Sequence, residues 1–370
     1  MNTHHQEEEV FCQGDEDKSP TGNKLHLLPL DMELETSSAT PSRFIVAFTN
    51  SVFVKGDAQR LFIFSGEEET SSSSLVANLA MTIPSVILPH GGFKCTSVHG
   101  FVAYCHGLQF TICNPSAGHC ITFPCKDREC TSLGYDPVDD QFKVLTPVSS
   151  LLRKPSFVVH EVITLGRGGE GGGVVSRSQF TSPPYFPMTL GLSINGFLYY
   201  GAWAPSHSST PVFVCFDVRH ERLSFITTPK GQGGPGLESL AAIVPHPLGR
   251  GSSFDRFDLW ILEDVEKHDW SRQTFELPLS LPFSLGMGKS VTSQGTNKAG
   301  EIVFSPTTLP YRAQPFYVFY YNPDTKDMRR VRIHGVADTE EFWSRYGLTG
   351  FCSSFFLPHH VDSIAAIASL

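Results

Sequence analysis

Apolar residues along this chain fall into short runs cut by turn residues. RLFIFS, GFVAYC, QFTICNP, FKVLTPVS, FVVHEVITLG, GFLYYGA, VFVCFDV, RLSFITTP, FDLWILEDV, EIVFSP, FYVFYYNP and RRVRIHGV are each bounded by Gly, Pro, Asn, Asp or Ser. Runs of this length and β-branched or aromatic content read as strands. Apolar spacing of a helical period, sustained over about eleven residues or more, is scarcely present. The pattern predicts an all-β fold from Gln59 onward.

Four stretches repeat one form, an apolar strand, an Asn or Asp opening a polar turn, and a second strand. They are FTICNPSAGHCITFP (110–124), VFVCFDVRHERLSFITTP (212–229), LWILEDVEKHDWSRQTFELP (259–278) and YVFYYNPDTKDMRRVRIHGV (317–336). Each reads as a hairpin in which Asn114, Asp217, Asp264 or Asn322 accepts from its own backbone two residues on and starts the reversal. SLGYDPVDDQFKVL (132–145) follows the same logic through Asp136 and Pro137. A Gly turn leading into an aromatic strand, as in SVHGFVAYCHG and GLSINGFLYYGA, precedes two of these hairpins. The sum is about four strands per unit, recurring at roughly forty to fifty residues, which is the sequence form of propeller blades. Short strands also suit a sandwich, but about twenty are too many for one immunoglobulin-like sandwich. A β-propeller of about six blades is therefore expected.

Composition agrees with many short strands: 32 Gly, 26 Pro and 29 Phe in 370 residues, with only 18% charged. Charge is unevenly placed. Residues 1–35 carry nine carboxylates against Lys18 and Lys24, so most of the net −9 belongs to this end and the rest is near neutral. No basic field suited to nucleic acid is present in the body. Residues 1–24 are acidic and short of aromatics, which predicts disorder. Nine cysteines at irregular spacing, after a start without a signal peptide, predict free thiols and a cytoplasmic and/or nuclear setting. SSFFLPHHVDSIAAIASL is interrupted by Pro358, His359, His360 and Asp362, so no membrane span is expected, and the His pair reads as a solvated tail.

Candidate chemistry is sparse. GRGGEGGG (166–173) matches G-x-G-x-x-G, but the Pro-broken VVSRSQFTSPPYFP follows instead of the helix a dinucleotide needs, so it reads as a surface loop. In GLSING the Ser193 spacing is wrong for a nucleophile elbow and a strand follows, which leaves an ordinary turn residue. Cys120, Cys125 and Cys130 recur every five residues, a spacing that fits no common zinc site, and Cys113 and Cys215 read as small buried hydrophobes. No catalytic, cofactor-binding or metal-ligating residue is assigned. Binding is the remaining class, with APSHSSTP (204–211) and PKGQGGPG (229–236) reading equally as loops of a propeller face or as plain solvated connections.

GFVAYCHGLQFTICNPSAGHCITFP followed by GYDPVDDQFKVL resembles the start of the plant F-box-associated domain, a kelch-like interaction domain. Cys113, Asn114, Pro115, Gly118, Gly134, Tyr135, Asp136, Pro137, Lys143, Val144 and Leu145 match its motifs in order. HEVITLG, LSINGFLYY and FYVFYYNPDTKDMRRVRIHGV match later landmarks, so the resemblance spans about residues 59 to 365. It implies a non-enzymatic substrate receptor: an F-box docks on the Skp-type adaptor of a cullin-RING ubiquitin ligase, and the β domain selects a protein substrate. The resemblance also gives LHLLPLDMELETSSATPSRF a meaning. Leu28, Pro29, Leu30, Asp31, Met32 and Glu35 fit the first F-box helix, and Arg43 and Phe44 resemble the middle one. Thr36 and Ser37 stand where aliphatic residues are expected, and the later apolar landmarks are missing. The expected organisation is an acidic tail over 1–24, a truncated or degenerate F-box-like segment over 25–58 and a propeller-like domain over 59–370. Adaptor binding is expected to be weakened or lost. A fully working receptor and a glycan-active propeller enzyme are the alternatives, the latter needing clustered carboxylates or a metal with His and Tyr ligands.

Overall fold

The computed structural model describes residues 42–50, 59–69, 71–84, 86, 95–106, 108–125, 131–148, 157–165, 174–205, 210–228, 242–247, 254–264, 267–276, 291–350 and 352–362. These residues form six sheets packed as the blades of a propeller, joined almost entirely by antiparallel pairs. In the first blade are β1 (Arg43–Thr49), β2 (Leu61–Glu67) and β4 (Asn78–Ile83), while β3 (Ser74–Val76) leaves it to pair elsewhere. The second holds β5 (Cys95–Val98), β6 (Phe101–His106), β7 (Gln109–Asn114) and β8 (His119–Pro124). The third holds β9 (Ser132–Asp136), β10 (Gln141–Val148), β11 (Val158–Leu165) and β12 (Val174–Ser182). The fourth has β13 (Phe186–Pro187), β14 (Leu192–Ile194), β15 (Phe197–Ala204), β16 (Thr210–Asp217) and β17 (Arg222–Thr227).

The fifth blade shows three strands, β18 (Ala242–Pro247), β19 (Phe254–Asp264) and β20 (Asp269–Glu276). The sixth has β21 (Val291–Thr296), β22 (Ile302–Pro306), β23 (Phe316–Asn322) and β24 (Asp327–His334), with β3 added in parallel to its outer edge. A single helix among the described residues, α1 (Glu340–Tyr346), then leads to β25 (Ser354–His360). Strand β25 pairs with β1 and becomes the innermost strand of the first blade, so the last described strand closes the ring. Where about six blades were expected, five full blades of four or more strands are detected, and the sheet β18–β20 shows three strands.

Six apolar seams hold the ring, one between each pair of neighbouring blades. Their cause is visible in β1, RFIVAFT, where every residue after Arg43 is buried. Alternate side chains of a strand point to opposite faces of its sheet. Phe44, Val46 and Phe48 enter the seam with the sixth blade, beside Val318 and Tyr320. Ile45 and Ala47 enter the seam with the second, beside Val102 and Tyr104. The remaining seams set Phe101 against Phe142, Leu145 against Phe216, Phe213 against Trp270, and Phe257 against Tyr321. Both faces of a blade are covered, so its central strands read as continuous apolar runs.

Two expectations are corrected here. The propeller body begins at Arg43 and not at residue 59, because β1 is one of its central strands. His360 is not a solvated tail residue either: it is fully buried at the end of β25, with Nδ1 2.8 Å from the Ser97 hydroxyl of β5.

Candidate functional site

Where four strands of a blade are described, the chain runs from the innermost outward, the first blade taking its innermost strand from β25, so reversals alternate between two faces. First-to-second and third-to-fourth reversals lie on one face; second-to-third reversals and the links between blades lie on the other. Among the described residues the reversals on the first face are mostly tight turns, five of them on one plan, the longer 68–77 segment that carries β3 being the exception. Asn114 Oδ1 accepts from the Ser116 and Ala117 N–H groups, at 3.0 and 3.1 Å. Asp136, Asp217, Asp264 and Asn322 accept in the same way from Val138, His220, Lys267 and Asp324. Four residues after each of these side chains the backbone turns left-handed, at Gly118, Asp140, Glu221, His268 and Lys326. All five turn residues named from the sequence therefore start the reversals expected of them. Side-chain oxygens aimed at the chain's own N–H groups leave these turns little capacity for a partner.

The opposite face carries the long connections. Among the described residues it includes 182–191, 307–315 and 335–353. APSHSSTP joins β15 to β16 and PKGQGGPG follows β17, so both loops leave strands at this face, although most of their residues lie outside the described set. Helix α1 fixes part of it. Thr339 caps the helix by accepting from Phe342 N–H at 3.1 Å, and Gly347 ends it at φ 61°. Phe342 and Trp343 anchor it in the seam between the sixth and first blades. Three large apolar side chains stay exposed at second-to-third reversals here: Leu108 in the second blade, Phe157 in the third and Tyr311 in the sixth. With the first blade between the sixth and the second, they span four consecutive blades on one side.

The chain enters at the other side. Arg43, the first residue of β1, pairs with His360, the last of β25, at the tight-turn face. The turn residue Ser116 donates to Asp362 at 2.7 Å, and Arg43 Nε lies 3.2 Å from the other Asp362 oxygen. Just before β1, the Ser42 hydroxyl donates to Glu68 and contacts His359 Nδ1, both at 3.2 Å. Burial raises the Glu68 carboxyl above its ordinary pKa, opposed by the bonds from Ser42 and the His359 N–H. Residue 42 is thus a fixed exit point for whatever precedes it.

Of the residues assigned to adaptor docking, Leu28, Pro29, Leu30, Asp31, Met32 and Glu35 lie outside the described residues. Arg43 and Phe44 do not form a docking helix. Phe44 is fully buried in β1, its ring stacked on Phe356 at 5.4 Å, where it has no surface to offer. The apolar run that resembled a helix is a strand covered on both faces.

The motif residues of GYDPVDDQFKVL serve the scaffold. A Cβ on Gly134 would lie 2.8 Å from Val218 Cγ2, so only glycine lets the third and fourth blades approach this closely. The Tyr135 hydroxyl donates to Asp140 at 2.8 Å, and the Tyr135 N–H to the Ser193 hydroxyl at 3.1 Å. Ser193 is therefore a blade-to-blade contact. Lys143 Nζ crosses the same seam to Glu221, 2.8 Å away, and Ser178 donates to the same carboxylate. Asp258, fully buried, takes Arg272 at 2.6 Å and Thr274 at 2.7 Å. Glu301 takes Arg329 through two bonds of 3.0 and 2.7 Å. In these pairs each carboxylate meets a cation and hydrogen-bond donors at once, which is how partly buried ion pairs hold a scaffold. Cys113 and Cys215 are buried and free, as expected. Among the described residues no group of three His, Cys, Asp or Glu is placed to hold a metal, and no helix is long and apolar enough to cross a membrane.

A family model described as the F-box associated beta propeller domain matches residues 48–361. An F-box protein of Arabidopsis thaliana is 45% identical over 346 residues, which cover 88% of this chain and 86% of the relative. The F-box protein DOR from the same plant is 35% identical over 297 residues, 75% of this chain and 73% of its own.

Proposed function

The chain belongs to the F-box associated β-propeller family, and from that membership we propose that it is a substrate-recognition protein of the cullin-RING ubiquitin ligase system. Its partner on the recognition side is a protein, and the chain itself performs no chemistry. The observation that carries this reading is the division of the propeller into two faces. The chain enters at the tight-turn face, where Ser42, Glu68 and His359 fix its exit point. The long connections and the exposed Leu108, Phe157 and Tyr311 lie on the opposite side. A segment before Arg43 that engaged a Skp-type adaptor would leave that side free for a substrate. Loops on a rigid scaffold, with apolar anchors among them, suit protein recognition.

Adaptor binding in this reading is weakened or lost. Docking requires a continuous apolar ridge. Leu28, Pro29, Leu30, Asp31, Met32 and Glu35 supply the first turn of one, while Thr36 and Ser37 break it and Phe44 is committed to the propeller core. Co-purification of the full chain with a Skp-type adaptor, scored together with bound proteins, is the test. Recovery of a partner protein with little adaptor is expected. A stoichiometric adaptor complex would establish a working receptor instead.

A further inference from the structure

Cys113 on β7 and Cys120 on β8 stand directly opposite each other in the outer hairpin of the second blade. Both thiols are free, and their sulfur atoms are 2.9 Å apart. Directly opposed residues of an antiparallel pair have Cα atoms about 4.5–5.5 Å apart. A disulfide spans about 4.4–6.8 Å between Cα atoms, a range that includes the spacing of such an opposed pair. The two thiols differ in access. Cys113 is fully buried, whereas Cys120 is exposed.

Their chemistry differs in the same sense. The hydrogen bond it shares with Cys113 holds the Cys120 thiol below its ordinary pKa. Burial and the neighbouring Cys120 push Cys113 well above it. The accessible member therefore forms thiolate more readily, and the buried one is placed to resolve what it forms. The thioether of Met81 lies 3.8 Å from the Cys120 sulfur, so soft, oxidisable atoms surround the exposed thiol. Every other described cysteine (Cys95, Cys105, Cys125, Cys215 and Cys352) is buried.

We propose that Cys113 and Cys120 form a reversible oxidation site, a thiol pair that a hydroperoxide closes to a disulfide. The Cys120 thiolate attacks one peroxide oxygen and breaks the O–O bond, giving a sulfenic acid and releasing hydroxide. The Cys113 thiol then attacks that sulfur. The S–O bond breaks, the S–S bond forms, and the hydroxyl leaves with the Cys113 proton as water. Two thiols lose two protons and two electrons, and one hydrogen peroxide takes them up to become two waters. Two equivalents of a small thiol restore the pair through a mixed disulfide. In a reducing compartment such a bond is transient, which is the regime of redox-responsive cysteines.

The test uses the full chain, reduced and then titrated with hydrogen peroxide. Free thiols are blocked with a light alkylating label under denaturing conditions; after reduction, a heavy label marks those that were oxidised, and fragmentation mass spectrometry localises both. Cys113 and Cys120 are expected to take the heavy label together, at peroxide levels that leave the other cysteines light, and to revert with dithiothreitol. In Cys120→Ser, an exposed position that leaves the fold intact, Cys113 should stay light. In Cys113→Ala, Cys120 should progress to sulfinic acid. Light-labelled Cys113 beside over-oxidised Cys120 in the wild type would overturn the proposal. So would a disulfide from either residue to any other cysteine.

Discussion

Lys143 of the third blade reaches Glu221 of the fourth at 2.8 Å, and Lys143 Nζ also donates to the Arg219 carbonyl at 3.3 Å. The lysine of the GYDPVDDQFKVL motif is therefore a clamp between blades, its side chain nearly buried at the seam. Lys143→Met should destabilise the fold by about 2 kcal/mol, because it leaves a partly buried carboxylate with fewer donors. Lys143→Met combined with Glu221→Gln should cost less than the sum of the two single changes. Urea denaturation of the four proteins measures this; additive effects would remove the clamp.

Left-handed backbone at Gly118 and Lys326 occupies the same place in two turns of one design. A Cβ on Gly118 meets nothing within 4 Å, so Gly118→Ala carries only the conformational cost, about 1 kcal/mol. Lys326→Gly removes that cost and should stabilise by about 0.5–1 kcal/mol, less the extra freedom of the unfolded glycine. Opposite shifts in denaturation midpoint are expected, and shifts of the same sign would refute the shared geometry.

Phe44 decides where the propeller begins. Phe44→Ala should lose about 3–5 kcal/mol, the range for a large aromatic removed from a packed core. Leu28→Ala with Pro29→Ala should leave the melting temperature unchanged. A destabilised Leu28/Pro29 variant, or a tolerant Phe44 variant, would move that boundary.

Burial lowers the pKa of His160 from an ordinary 6.5 to about 4. Its Nε2 lies 2.8 Å from the Tyr185 hydroxyl, which in turn lies 2.6 Å from that of Tyr200. The unfolded chain binds a proton near pH 6.5 that the folded chain refuses until about pH 4. The stabilisation is therefore complete above pH 6.5 and is lost as pH falls toward 4. The loss is on the order of 3 kcal/mol for this residue. His360, also buried and lowered to about 4, adds to the slope. His160→Gln should flatten the fall of melting temperature with pH over this window without abolishing it; an unchanged slope would show that His160 is not the titrating group.

The hairpins were legible because their turns are local. An Asn or Asp must sit where its side chain can reach N–H groups two and three residues on, and that requirement is written in the sequence. The strand character of Arg43–Thr49 was not legible. A run buried on both faces carries no period-two alternation, and periodicity alone does not separate it from a short helix. The burial of His360 was hidden for a different reason. Whether a terminal strand joins the innermost edge of the first blade depends on ring closure, which no local pattern records. Helix α1 is shorter than a periodicity search detects, yet Thr339, the acidic pair Glu340 and Glu341, and Gly347 were signals for its two ends. No adaptor-binding role could be separated from the propeller core for Arg43 and Phe44 until β1 was seen as a strand with Phe44 buried in it.

The central claim is that a protein partner binds the long-loop face. Its most direct test is quantitative affinity purification of the full chain beside a triple variant, Leu108→Ser, Phe157→Ser and Tyr311→Ser. All three residues are exposed, so the variant should stay folded, which a cooperative melting transition checks. The account predicts that proteins recovered with the wild type fall at least tenfold with the variant, while recovery of a Skp-type adaptor stays as low as before. Unchanged partner recovery from a folded triple variant would contradict it.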